Sequence, residues 1–101
     1  MHSTNIVHRD LKLENLMVQI IKSNEKTSEM VIKVTDFGFA CSLSPEREEK
    51  LSLGSPLYTA PEVIRAQNYD NRCDVWSLGV MAYMILCSKP PFSGDTKQSI
   101  Y

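Results

Sequence analysis

Glycine is scarce in this chain. Gly38, Gly54, Gly79 and Gly94 are its four glycines, and no G-x-G-x-x-G phosphate-binding loop can be built from them. Clustered metal ligands are missing too. Cys41, Cys73 and Cys87 form no C-x-x-C pair, and His2 and His8 are the only histidines, which excludes a zinc site of ordinary spacing. No EF-hand loop is present, so nothing here encodes calcium control. Neither charge dominates. Lys and Arg total 11 against 12 Asp and Glu, for a net charge of −1, so no nucleic acid and no anionic membrane is expected as a partner. A membrane-length apolar run is also absent. The longest candidate, Asp74 to Cys87, reaches only about 21 Å as a helix, against a hydrocarbon core of about 30 Å. The N-terminus is polar from His2 to Asn5 and shows no signal peptide. Three scattered cysteines then read as reduced thiols of an intracellular protein, cytoplasmic or nuclear.

What remains is an ordinary soluble composition, 43% hydrophobic and 23% charged, in a chain long enough for at most one small domain. Residues 1–7 read as an entry segment, the frayed end of a helix. Leu16 to Ile21 and Met30 to Val34 are two short β-type runs, separated by the polar stretch Lys22 to Glu29. Together they predict an antiparallel hairpin with an exposed polar loop. Residues 39–59 lack periodicity and read as a loop. Their charged run, Pro45 to Lys50, is a solvated face with at most one helical turn. Ala60 to Ala66 predicts a short helix with Pro61 in its first turn. Asp70 to Cys87 is the one long helix candidate. It is apolar nearly all round, and such a helix is expected to be buried in a core. Pro90 and Pro91 end it, and Asp95 to Tyr101 would begin another helix.

Three short motifs stand in order along this frame. His8-Arg9-Asp10-Leu11-Lys12-Leu13-Glu14-Asn15 comes first, Asp36-Phe37-Gly38 next and Ala60-Pro61-Glu62 last. They match H-R-D-L-x-x-x-N, D-F-G and A-P-E. Any one tripeptide would be weak. All three in order supply the parts phosphoryl transfer needs: a base, two metal-ligand positions and a substrate platform. The chain resembles the eukaryotic-type protein kinases over nearly all its length.

The resemblance implies an α+β fold. It is the large-lobe part of a kinase domain, mostly helical, with a short β-hairpin beside the catalytic loop and no small lobe. Residues 1–101 would form one partial kinase domain holding the catalytic loop, the metal-binding motif, the activation segment and the central helix. The rest of the domain is expected in a longer chain, and this fragment alone is expected to be inactive. ATP and Mg²⁺ are the implied cofactors, and a protein is the implied substrate.

Residue by residue, Asp10 is the expected base for the acceptor hydroxyl. Lys12 would neutralise charge growing on the transferred phosphate. Asn15 and Asp36 offer hard oxygen donors suited to Mg²⁺. Lys12, Glu14, Asn15, Met17 and Asp36 make up the implied nucleotide-binding set. Met17 reads equally as the floor of an adenine pocket and as ordinary core. Gly38 frees the turn after Phe37, and His8 is structural. The sequence Val31-Ile32-Lys33 imitates a kinase lysine motif but lies after the catalytic loop, so Lys33 is expected to face outward.

The pattern Asp10-Leu11-Lys12-x-Glu14-Asn15 resembles the serine/threonine kinases, as does Gly54-Ser55-Pro56-Leu57-Tyr58. Ser55 would then bond Asp10 and Lys12 and help place the acceptor. Asp74 would anchor the backbone of the His8-Arg9 turn. Glu62 would pair with a downstream arginine. Within the serine/threonine group, Asn5 to Asp10, Cys73 to Val80 and Leu86-Cys87 before Pro90-Pro91-Phe92 are most similar to the calcium/calmodulin-dependent and calcium-dependent kinases. The chain departs from that pattern at Leu13, where a proline is usual. It departs again at Leu51, which stands where the activation-loop phosphothreonine would. Arg9 is the implied phosphate partner. Either Ser52 takes over the phosphate, or the segment orders without one, the preferred reading. An inactive truncated kinase fragment or a non-catalytic scaffold is the alternative for the whole chain.

Overall fold

Asp70 lies just before the long helix. Its carboxylate accepts a hydrogen bond from the Arg72 backbone N–H at 2.9 Å, covering one of the unpaired amides at a helix start. The computed structural model describes residues 1–24, 27–42 and 53–94. In it the helix runs Arg72–Cys87, two residues inside the expected start. It ends at Ser88, whose left-handed backbone turns its N–H back to the Met84 carbonyl at 2.9 Å. The short helix expected at 60–66 forms over Pro61–Ile64, with Ala60 as its N-cap residue. Pro61 is tolerated in this first turn because its missing N–H would have had no helical partner. We call these helices α1 and α2. Among the described residues, no helix is long and apolar enough to cross a membrane.

The expected hairpin is present and longer than its apolar runs. Strand β2 spans Leu16–Asn24 and β3 spans Thr27–Val34. They pair antiparallel from Leu16 opposite Val34 to Asn24 opposite Thr27, with an irregularity between Lys22 and Asn24. The polar stretch read as a loop is therefore mostly strand. A backbone ladder needs no apolar side chains, and the pairs Lys22–Ser28 and Ile21–Glu29 continue it. Lys33 lies exposed on β3 opposite Met17.

Two further expectations need correction. Residues 1–7 are no helix end. They make one 3-10 turn, His2–Thr4, and a two-residue strand β1, Ile6–Val7. β1 pairs with β4, Cys41–Ser42, inside the span read as loop. The fold is also not mostly helical. α1 and α2 hold 4 and 16 residues, β2 and β3 hold 9 and 8, so helix and strand are nearly balanced among the described residues. The charged run 45–50 and the helix expected at 95–101 lie outside those residues.

Among the described residues α2 is buried on one face. Cys73, Asp74, Ser77, Val80 and Met81 are buried, the i, i+1, i+4, i+7, i+8 spacing of a single helical stripe. Leu86 is 83% exposed and Ile85 66%. The buried stripe serves two small cores. Val7, Ala60, Val63, Tyr69 and Cys73 form one. Leu11, Tyr58, Val80 and Met81 form the other, with Leu13, Leu16, Leu57 and Met84 against it. Burial raises the Cys73 thiol pKa to about 12, which leaves it a packing residue, not a nucleophile. The catalytic-loop motif lies between these cores, with Val7 in one and Leu11 in the other.

Candidate active site

The turn at His8 and Arg9 is held by a carboxylate from α2. Asp74 Oδ2 accepts the His8 N–H and Oδ1 accepts the Arg9 N–H, both at 2.9 Å. Arg9 adopts φ 68°, a region non-glycine residues seldom occupy, and its fixed amide keeps it there. His2 adds a third donor, its Nε2–H reaching Asp74 Oδ2 at 2.8 Å. His8 is fully buried. Its Nε2–H donates to the Thr35 carbonyl at 3.0 Å, and its ring meets Phe37 edge to face. One imidazole thus joins the catalytic loop to the residues on both sides of Asp36.

Two residues further on, Asp10 is buried, at 5% exposure. Its Oδ2 accepts from Lys12 Nζ at 2.7 Å, and its Oδ1 accepts from the Ser55 hydroxyl at 2.9 Å. Lys12 Nζ also donates to Ser55 Oγ at 3.0 Å, which closes a three-residue ring. The hydrogen bond it donates to Asp10 is the largest influence on Lys12 and raises its pKa above the ordinary value, burial working against it. Each carboxylate oxygen has two lone pairs, so Asp10 keeps acceptor capacity toward solvent.

Asn15 is buried beside this ring and donates its amide N–H to the Asp10 backbone carbonyl at 2.9 Å. Its Oδ1 takes no hydrogen bond from the described residues. The Asn15 carbonyl accepts both the backbone N–H and the hydroxyl of Thr35, at 2.9 and 3.1 Å, and Asp36 follows directly. Asp36 has φ 58° and its Oδ1 accepts the Gly38 N–H at 3.2 Å. The five residues Asp10, Lys12, Asn15, Asp36 and Ser55 are thus tied into one site by three chain segments.

Residues 1–101 match the protein kinase domain family across the entire chain. The chain belongs to this family. It is 43% identical to mouse (Mus musculus) serine/threonine-protein kinase 33 over 106 aligned residues, covering 100% of this chain and 21% of that protein. It is 41% identical over 101 residues to myosin light chain kinase A of Dictyostelium discoideum, covering 100% of this chain and 32% of that one. Identity to calcium-dependent protein kinase 5 of Plasmodium falciparum is 42% over 99 residues, 98% of this chain and 16% of that protein. The kinase segment therefore spans a third or less of each of these relatives.

The remaining candidate residues of this kinase segment are spread around the ring. Glu14 is exposed, and its Oε2 accepts from the Tyr58 hydroxyl at 3.3 Å. Burial, then Glu14, raises the Tyr58 pKa, so the phenol stays a donor. Met17 is 62% exposed on β2. Glu62 is half-buried on α1 and lines an open groove with Tyr69, Asp70, Arg72 and Trp76. It is not part of the Asp10 ring, and its carboxylate takes no ion pair among the described residues. Arg9 donates through Nε to the Phe39 carbonyl at 2.6 Å and through Nη1 to the Tyr69 hydroxyl at 3.2 Å. Leu51 and Ser52, on which the regulatory reading rests, lie outside the described residues.

Sequence reasoning missed His2, Thr35, Tyr58, Tyr69 and Ser77. Ser77 donates to the Tyr58 carbonyl at 2.8 Å and ties α2 to the 3-10 turn Pro56–Tyr58. Its one signal was position, three residues after Asp74 and on the same helix face. The other four bond across long stretches of chain; Tyr58 closes the pattern Gly54-Ser55-Pro56-Leu57-Tyr58, and no local pattern marks His2, Thr35 or Tyr69.

Gly54 fixes how the activation segment approaches the loop. It sits at φ 100°, and a Cβ there would stand 2.9 Å from the Arg9 carbonyl and 3.2 Å from Thr59 Oγ1. Both the backbone region and the space demand glycine. Gly54→Ala is expected to cost about 1–3 kcal/mol of stability, read as a lower urea midpoint. An unchanged midpoint would show that the close approach is relieved at no cost.

Proposed function

We propose that this chain is the catalytic segment, within the large lobe, of a serine/threonine protein kinase that transfers the ATP γ-phosphoryl group to protein hydroxyls. The carrying observation is the closed ring of Asp10, Lys12 and Ser55. A buried carboxylate at the meeting point of a cation and a hydroxyl has little structural purpose at the surface of a loop. It suits a base that must orient an acceptor O–H and take its proton. Ser55 holds one carboxylate oxygen, so the acceptor is aligned to a fixed lone pair. Lys12 keeps its proton through neutral pH and presents positive charge where phosphate charge develops. The serine/threonine assignment is supported by Lys12, by Ser55 and by the names of the relatives.

The residues present fit Mg²⁺. Asn15 turns its amide N–H inward and leaves Oδ1 as a donor atom, and Asp36, with an exposed carboxylate, directly follows Thr35, which bonds the Asn15 carbonyl. Mg²⁺ needs few protein ligands, because waters and phosphate oxygens complete its shell. When bound, the ion screens the charge of the nucleotide phosphates. Met17, exposed on β2, supplies an apolar surface for the adenine, and Glu14 lies at the rim. The intact ring argues against a non-catalytic scaffold.

The test is Asp36→Asn in the full-length protein that carries this segment. Loss of even an outer partner of a metal site typically costs 10–100-fold in affinity. Mg·ATP affinity is expected to fall by about tenfold or more in a nucleotide titration. Unchanged affinity would refute the metal role.

A further inference from the structure

Among the described residues, two groups are seen to hold the Arg9 guanidinium. Nε–H donates to the Phe39 carbonyl at 2.6 Å, and Nη1–H donates to the Tyr69 hydroxyl at 3.2 Å. Phe39 directly follows the Asp36-Phe37-Gly38 motif. Tyr69 lies in the turn between α1 and α2, at 9% exposure, with its ring in the core formed by Val7, Ala60, Val63 and Cys73. The Arg9 backbone is fixed independently, by Asp74 on its N–H and by Gly54 against its carbonyl. A backbone fixed at φ 68° and a planar, forked side chain leave the guanidinium little freedom. The bond to Tyr69 therefore helps set the direction of the bond to Phe39.

We propose that Tyr69 is a positioning residue for phosphoryl transfer: its hydroxyl aims Arg9 at the Phe39 carbonyl and so fixes the metal-binding turn against the catalytic loop. The idea rests on the kinase reading above and deepens it. Tyr69 touches neither nucleotide nor acceptor. It acts through Arg9, on the spacing between Asp36 and Asp10. Phosphoryl transfer depends on alignment, and a misplacement of about 1 Å can cost 10²-fold. An effect that runs through the spacing of Asp36 and Asp10 falls on the chemical step, so the peptide KM should not respond.

Tyr69→Phe removes the hydroxyl and keeps the ring in its core. In the full-length protein we expect kcat to fall about tenfold, the size of one hydrogen bond to a charged group, with peptide KM unchanged. In an Arg9→Ala background the same substitution should cost nothing more, because the residues act as one unit. If Arg9→Ala does not fold, Arg9→Lys replaces it, since a single ammonium cannot reproduce the fork. Wild-type kcat in Tyr69→Phe would overturn the proposal, and so would losses that multiply in the double variant. An NMR measurement separates this idea from the kinase reading. The Arg9 Nε–Hε resonance should be protected in the wild type and broadened by exchange in Tyr69→Phe, whether or not the protein turns over. A wild type without kinase activity refutes the function. An Arg9 resonance indifferent to Tyr69→Phe refutes this inference alone.

Discussion

Asp10→Asn should lower kcat by about 10²–10⁴-fold, the usual contribution of a positioned base, and leave Mg·ATP affinity nearly unchanged. The carboxamide has the size of the carboxylate and can keep both neighbours. Its oxygen would face Lys12 Nζ, and its NH₂ would donate to Ser55 Oγ, whose hydroxyl can rotate to accept. The ring at 2.7–3.0 Å therefore survives while its chemistry is lost, because an amide cannot take the proton of the acceptor hydroxyl. The measurement is turnover at saturating Mg·ATP and peptide, beside a nucleotide titration. Near-wild-type turnover would remove Asp10 from the mechanism. Lys12 supplies a check on pH. Its pKa is raised by Asp10, so its charge is complete below the ordinary lysine value and is lost only as pH climbs through the raised one. Any alkaline loss of activity near neutrality must come from another group.

The grouping of Asp10, Lys12 and Asn15 was legible in the sequence because it is written locally. Asp10, Lys12 and Asn15 sit within one loop: Lys12 bonds the Asp10 carboxylate, and Asn15 bonds the Asp10 carbonyl five residues away. Ser55 and Asp74 were legible only through resemblance, since each reaches the loop across 45 or more residues. His2 and Tyr69, 72 and 60 residues from their partners, carried no signal of either kind. Among secondary elements, α1 was marked by Pro61 and the hairpin by its two apolar runs. The extension of β2 and β3 into polar residues was not marked, because a two-stranded ladder is held by backbone groups that every sequence shares. At α2 the described residues cover the stripe through Cys73, Asp74, Ser77, Val80 and Met81, and apolar residues on its other faces, Ile85 and Leu86 among them, stay exposed. Hydrophobicity reports which faces can be buried, and the neighbouring elements decide which are.

Asp74→Ala should be among the most destabilising substitutions in the chain. Its carboxylate is 2% exposed and accepts three hydrogen bonds, from His8 N–H, Arg9 N–H and His2 Nε2–H. Alanine leaves the two amides buried without partners, at about 1–3 kcal/mol each. It also releases Arg9 from φ 68°, a conformation that persists only while the surroundings over-determine it. The expected total is about 2–5 kcal/mol, a large share of the roughly 5–15 kcal/mol that holds an ordinary domain together. Asp74→Asn should cost about half as much, because its carbonyl serves one amide while its NH₂ meets the other donor. His2→Ala should cost least, since His2 is itself about one-third exposed and water can replace it. Urea unfolding of the three variants in the full-length protein gives the ranking, and kcat measured well below each midpoint gives the effect on the loop. Asp10 follows Arg9 directly, so kcat should fall in the same order. An Asp74→Ala variant within about 0.5 kcal/mol of wild type, the usual range for an inert surface change, would mean that the loop holds its own shape and that Asp74 merely decorates it.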